Sequence, residues 1–205
     1  MKIACIGPGG SGKTTLVDYL VEHKIVDCKK LESVARQVFR EYGWTESDQL
    51  DKPIQANWEV QKAIFERRQI AERHAGSCFI SDRTLLDTFC YGLYRCASAI
   101  GDEEYRRLWK QTQLNLSTYD LLLLFPYYDN SRWTREDDKF RQMTNLAYGK
   151  TMEVLMFEFC EAMRSRTLLD GHPTKIVEFI KIQDVSVSER ARMIERVVAA
   201  WDSRI

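Results

Sequence analysis

Short apolar runs alternate along this chain with longer stretches in which apolar residues recur every three or four positions. Lys2 to Ile6 is an apolar run ending in Gly7-Pro8-Gly9-Gly10, which predicts a buried first strand and a tight loop. A helix is expected from Gly12 to about Glu22, with Leu16, Val17 and Leu20 on one face. Residues 24–31 are ambiguous and can hold a second short strand. Ser33 to Tyr42 reads as a helix with Val34, Val38 and Phe39 apolar and Gly43 as its stop. A polar stretch over 44–53 leads into a long helix, about 54–75. There Ile54, Trp58, Gln61, Phe65 and Ile70 show roughly helical spacing, and Gly76 ends the element.

The second half repeats the alternation. Cys78-Phe79-Ile80 is a compact apolar strand, Thr84 to about Ala99 is helical, and another helix spans roughly 102–115. Asp120 to Phe125 contains four successive leucines, a central buried strand closed by Pro126. Residues 127–141 are polar and charged, and a helix follows over about 142–165. Lys175 to Ile182 is a last strand. Ser186 to Trp201 is an amphipathic helix with Ile194, Val197, Val198 and Trp201 apolar, opened by a Ser186/Glu189 capping box. Strands alternating with helices predict an α/β fold, a three-layer sandwich whose mostly parallel, five-stranded sheet is covered on both faces. No repeat, low-complexity tract or linker interrupts it, so residues 1–205 are expected to form a single domain.

Composition narrows the class of partner. Apolar residues make up 44 % of the 205 positions, enough for a full core, and 30 basic residues cancel 30 acidic ones. A balanced charge gives no general attraction to nucleic acid or to an anionic membrane. The six cysteines form no Cys-x-x-Cys pair and no zinc spacing, which reads as reduced thiols in a cytoplasmic protein. Cys5 and Cys78 sit in strand-like runs as small hydrophobes. The N-terminal apolar run is too short for a signal peptide, and no run approaches a membrane span.

Candidate chemistry begins at Gly7-Pro8-Gly9-Gly10-Ser11-Gly12-Lys13-Thr14, a full match to the phosphate-binding P-loop pattern between a strand and a helix. The glycines allow successive N–H groups to point inward at phosphate oxygens, and the helix adds its positive dipole end. Lys13 supplies a mobile charge, and the Thr14 hydroxyl can ligate Mg²⁺. Gly9, Gly10, Ser11, Gly12, Lys13, Thr14 and Thr15 are therefore the expected triphosphate-binding residues, with ATP and Mg²⁺ as cofactors. The Asn-Lys-x-Asp motif of GTPases and the Leu-Ser-Gly-Gly-Gln motif of transporter ATPases are absent. A phosphotransferase is the simplest class left.

The second motif is Phe79-Ile80-Ser81-Asp82-Arg83-Thr84-Leu85-Leu86-Asp87. The carboxyl ends of strands form the ligand crevice of an open α/β sheet. Asp82 is thus placed to hold Mg²⁺, and Arg83 to bind the acceptor or the transferring phosphate; the alternative is a surface ion pair. Thr84-x-x-Asp87 is a helix capping box, so Asp87 reads as structural.

With these residues the stretch from Ala63 to Tyr91 resembles the small P-loop kinases related to the bacterial nicotinamide-riboside kinase domain. It is more distantly similar to thymidylate and deoxynucleoside kinases. The resemblance implies a nucleoside- or nucleotide-kinase fold of the P-loop NTPase type, with a helical lid. In such kinases an acidic residue after the second strand contacts the acceptor or acts as base, with an arginine shortly after; Glu32 and Arg36 are the candidates. Their alternative is a solvent-exposed ion pair on one helix face. A lid is implied at about 127–141, where Arg132 and Arg135 would stabilise charge on the transferring phosphoryl group, while Arg141 can start the next helix. The loop around Gln183-Asp184-Val185 is where adenine would sit by resemblance. Trp44, Trp58, Tyr91 and Tyr94 could stack on a base but read as core residues. The implied acceptor is a small nucleoside or nucleotide. A hydroxymethylated pyrimidine within DNA, or a switch acting on a protein partner, stays open, as does a homodimer.

Overall fold

The computed structural model describes residues 1–44, 52–127, 146–170, 175–178 and 186–202. Five strands form one parallel sheet: β1 (Lys2–Ile6), β2 (Lys29–Leu31), β3 (Phe79–Ser81), β4 (Leu121–Leu124) and β5 (Lys175–Glu178), in the order β2-β3-β1-β4-β5. The helices are α1 (Lys13–Glu22), α2 (Val34–Glu41), α3 (Ile54–His74), α4 (Leu85–Cys96), α5 (Asp102–Leu116), α6 (Leu146–Asp170) and α7 (Val187–Asp202). A short 3₁₀ turn, Ala97–Ala99, joins α4 to the loop before α5.

Side-chain alternation divides the strands between two faces. Ile3, Cys5, Ile80, Leu121 and Leu123 pack with Leu16, Val17 and Leu20 of α1 and Ile194 of α7. Ala4, Ile6, Phe79, Leu122 and Leu124 pack on the other face, with Trp58 and Phe65 of α3, Phe89 of α4, Leu116 of α5 and Met152 and Met156 of α6. The four-leucine strand is apolar throughout because both of its faces are covered. Burial of each such side chain contributes about 1.5–3 kcal/mol, which makes β4 a main anchor of the sheet. A third cluster, Val34, Val38, Phe39, Val60 and Ile64, fastens α2 to α3.

The apolar face of α3 differs from the expected stripe in two places. Ile54 and Ile70 are half exposed, while Arg68 and Glu72 are buried. The burial follows Trp58, Gln61, Phe65, Arg68 and Glu72, spaced three or four apart, so polar residues complete the inward face. Cys78 also precedes β3 rather than belonging to it, and is only partly buried.

Strand order fixes the position of the crevice. β1 leads through α1 to β2 beyond β3, whereas β3 leads on to β4 on the other side of β1. The connections leave adjacent strands in opposite directions, and the gap beyond the carboxyl ends of β1 and β3 is the switch point where ligands bind in such sheets.

Candidate functional site

The loop from Gly7 to Gly12 fills that gap, and its backbone explains its composition. A side chain at Gly7 would put a Cβ 2.5 Å from the carbonyl oxygen of Phe125 and 2.8 Å from its Cβ, because the chain leaving β4 passes directly over the loop. Gly12 caps α1 with φ of 84°, a left-handed conformation open mainly to glycine. Ser11 is buried, and its Oγ accepts a bond from Lys13 Nζ at 3.0 Å. Lys13 Nζ also donates to the carbonyls of Gly7 at 2.6 Å and Pro8 at 2.7 Å, so the ammonium lies across the inside of the loop. Burial, followed by the charge of Arg83, lowers the Lys13 pKa from 10.5 to about 8.

Thr14 and Asp82 meet as their spacing in the sequence could not reveal. Thr14 Oγ1 donates to Asp82 Oδ2 at 2.8 Å. Burial pushes the Asp82 carboxyl up, but Arg83, the Thr14 hydroxyl, Arg68 and Lys13 outweigh it and leave the pKa below 3.8. Asp82 Oδ1 is buried and has no hydrogen-bond partner among the described residues. A hydroxyl and a carboxylate side by side, with one carboxylate oxygen unused, suit a small hard cation that takes oxygen ligands. The pair therefore fits Mg²⁺.

Arg83 is half-buried next to Asp82. Burial alone would lower its pKa, yet Tyr91, Asp87 and Asp82 together raise it, so the guanidinium stays charged. The turn that carries Asp82 and Arg83 rests on Arg68 of α3. Arg68 is 1 % exposed and donates to Ser81 Oγ at 2.7 Å and to the Arg83 carbonyl at 3.2 Å. Glu72, one helical turn on, is also buried and accepts a bond from Asn115 Nδ2. Burial pushes the Glu72 carboxyl up, against the pull of Arg68.

The expected Thr84–Asp87 capping box is present. Thr84 N–H and Oγ1 donate to Asp87 Oδ2 at 2.8 and 3.0 Å, and Leu86 N–H donates to Thr84 Oγ1 at 3.1 Å. Asp87 does more than cap: its Oδ1 accepts from Gly7 N–H at 3.4 Å, which ties the start of α4 to the phosphate loop. Tyr91, one turn further on the same helix, accepts from Gly9 N–H at 3.0 Å. The Arg83 guanidinium lies 5.2 Å from the Tyr91 ring centroid. Aromatic character alone gave no reason to take Tyr91 from the core to the loop; only its i, i+4 spacing from Asp87 hints at it.

The remaining candidates are unevenly placed. Thr15 is exposed on the first turn of α1. Glu32 follows β2 in the register where Asp82 follows β3, so both lie at the same edge of the sheet. It precedes Ser33, the N-cap of α2, and therefore does not share a helix with Arg36. Both are exposed, and no ion pair joins them among the described residues. Trp58 is buried in the core and Tyr94 is half exposed, while Trp44 packs against the α2–α3 cluster. Arg132, Arg135 and Arg141, most of the expected lid, and Gln183-Asp184-Val185 lie outside the described residues.

A loop of this shape between β1 and α1, set in a β2-β3-β1-β4-β5 parallel sheet, defines the P-loop kinase fold. The family described as an AAA domain matches residues 2–190, and the chain belongs to it. Among solved structures, the fold is similar to deoxyadenosine kinase from M. mycoides with bound dCTP, with a TM-score of 0.62, 15 % identity, and coverage of 98 % of this chain and 100 % of that one. NadR in complex with NR gives 0.60 at 17 % identity over 95 % of this chain, which spans 50 % of the NadR chain. Shikimate kinase from Acinetobacter baumannii with shikimate gives 0.51 at 15 % identity, covering 97 % and 93 %. No curated protein matches the sequence.

Proposed function

We propose that this chain is a kinase that moves the γ-phosphoryl group of ATP, with Mg²⁺, to an oxygen of a small nucleoside, nucleotide or related acceptor. The observation that carries the reading is the pairing of Thr14 Oγ1 with Asp82 Oδ2 at 2.8 Å, beside Lys13 and Arg83. Gly9, Gly10, Ser11, Gly12, Lys13, Thr14 and Thr15 would hold the triphosphate through backbone N–H groups and the Lys13 ammonium. Thr14 and Asp82 would hold Mg²⁺, which neutralises charge on the β- and γ-phosphates when bound. Arg83 would steady the acceptor or the phosphoryl group in flight, joined by Arg132 and Arg135 of the lid. Glu32 and Arg36 remain the acceptor-side candidates at the β2 end of the crevice. Phosphoryl transfer depends mainly on positioning and charge, and a preorganised cation cluster of this kind supplies both.

The test is transfer of label from γ-³²P-ATP across nucleosides, nucleoside monophosphates and nicotinamide riboside. Labelled product is expected with wild type and none with Lys13→Ala, whose thermal melt should stay cooperative. An ATP-binding protein that labels nothing in the panel, and hydrolyses ATP only when a protein partner is added, would point to a switch instead. Salt-dependent binding to DNA oligomers, with label entering the DNA, would point to a base within DNA.

A further inference from the structure

Resting on the kinase reading, we infer that the acceptor already carries a phosphate, bound by a cation–aromatic clamp of Arg83, Arg95, Tyr91 and Tyr148 beside the loop. Arg95 lies one turn beyond Tyr91 on α4, so both project from the same helix face. Its guanidinium is 5.7 Å from the Tyr91 ring centroid and 5.8 Å from that of Tyr148, and it donates to Tyr148 Oη at 3.2 Å. Arg83 approaches the same Tyr91 ring at 5.2 Å, and the Tyr91 hydroxyl is already on Gly9 of the loop. Two guanidinium groups thus converge on one ring that touches the phosphate site.

Arg67, Arg106, Arg107 and Arg164 each face a carboxylate on the surface. Arg83 and Arg95 are half-buried, and neither forms a salt bridge among the described residues. Partly desolvated cations held together by rings call for an anion, and a planar guanidinium fork matches phosphate oxygens. A neutral nucleoside would leave Arg95 without a counter-charge among the described residues and Arg83 with only the attraction of Asp87 and Asp82.

A phosphate monoester also fits the chemistry. Its second pKa is about 6, so at neutral pH its oxygen needs no proton removed. Of the described carboxylates at the loop, Asp87 is engaged with Thr84 and Gly7, and Asp82 bonds Thr14 through Oδ2 while its Oδ1 faces the proposed Mg²⁺ position. In the step, an oxygen of the acceptor phosphate forms a bond to the γ-phosphorus. The bond from that phosphorus to the β–γ bridging oxygen breaks, and ADP leaves with the electron pair. The product is a nucleoside diphosphate.

Calorimetric titration with the donor site saturated by ADP and Mg²⁺ tests the clamp without turnover. The probes are deoxyadenosine, thymidine and their 5′-monophosphates, against wild type, Arg95→Gln and Arg95→Lys. Monophosphates are expected to bind at least about tenfold tighter than the nucleosides, as hydrogen bonds to charged groups imply. Arg95→Gln should remove most of that preference, Arg95→Lys should keep part of it, and ADP affinity should stay within about twofold. Equal binding of nucleosides and monophosphates, or an unchanged preference in Arg95→Gln, overturns the clamp. So does an Arg95-dependent preference for a DNA oligomer over the free monophosphates. Should label transfer fail while the monophosphate preference holds, the kinase reading falls and the anion site stands.

Discussion

Replacing Asp87 separates the two tasks its carboxylate performs. Oδ2 accepts from Thr84 N–H and Oγ1 at 2.8 and 3.0 Å, while Oδ1 accepts from Gly7 N–H at 3.4 Å. Asp87→Ala deletes all three. The short bond to a buried N–H is charge-assisted, worth about 1.5–3 kcal/mol, and the stranded amides add to the loss. A total near 3 kcal/mol is a large part of the roughly 5–15 kcal/mol that a domain has in hand. With a urea slope of about 2 kcal/mol per molar, the midpoint should fall by about 1.5 M. Asp87→Asn is the informative partner. Its single amide oxygen keeps the Thr84 bonds, the stronger pair, and turns the amide nitrogen to Gly7 N–H, donor against donor. Stability should then drop by only about 1 kcal/mol. Affinity for a fluorescent ATP analogue should weaken about tenfold, the equivalent of roughly 1.4 kcal/mol. Urea titration and fluorescence titration of both variants decide the matter. An Asp87→Ala midpoint within about 0.3 M of wild type, or an Asp87→Asn as unstable as Asp87→Ala, would refute the cap-and-anchor account.

Three further outcomes follow from the site. The Lys13 pKa is lowered from 10.5 to about 8 in the fold, so the unfolded chain binds the extra proton between those values. The cost of burying this ammonium is full below pH 8 and is relieved as pH rises to 10.5, whereas ATP-analogue affinity should decline above pH 8; a flat affinity from pH 7 to 10 would refute the role given to the ammonium. Gly7→Ala forces a methyl to 2.5 Å from the Phe125 carbonyl and should cost at least about 1–3 kcal/mol in urea unfolding while weakening nucleotide binding. Arg68→Met removes the bonds to Ser81 Oγ and the Arg83 carbonyl and the nearby charge that favours the Glu72 carboxylate, and should cost about 1.5–3 kcal/mol. Adding Glu72→Gln should recover part of that loss, and a double-mutant cycle with purely additive costs would show that the two do not interact.

The shape of the glycine loop was legible because its residues encode backbone. Gly7 and Gly12 stand where Phe125 crowds the loop and where φ is 84°, so the loop pattern and the conformation are the same fact. The Thr84–Asp87 box is legible for a similar reason: capping acts over three residues and needs no distant partner. The leucines of β4 announce a strand covered on both sides. What lay hidden depends on packing between elements. Arg68 and Glu72 look like ordinary surface positions of α3, and only the approach of β3 and α5 turns them inward. Tyr91 and Arg95 show their roles only once α4 is laid against the loop and α6. Glu32 and Arg36 suggested one helix face, but Ser33 opens the helix between them.

Helix α4 holds two amides of the phosphate loop, Gly7 through Asp87 and Gly9 through Tyr91, and it also bears Arg95. On the kinase reading these amides belong to the loop that would hold the donor, so a phosphate that recruits Gly9 N–H would compete with the Tyr91 hydroxyl. Release of that hydroxyl changes what the helix offers to the other ligand. Donor and acceptor affinities are then not independent: whichever factor the first imposes on the second, the second imposes on the first. A helix shared by two ligands in this way would make the fold a cooperative device, with the sign of the cooperativity written in one tyrosine.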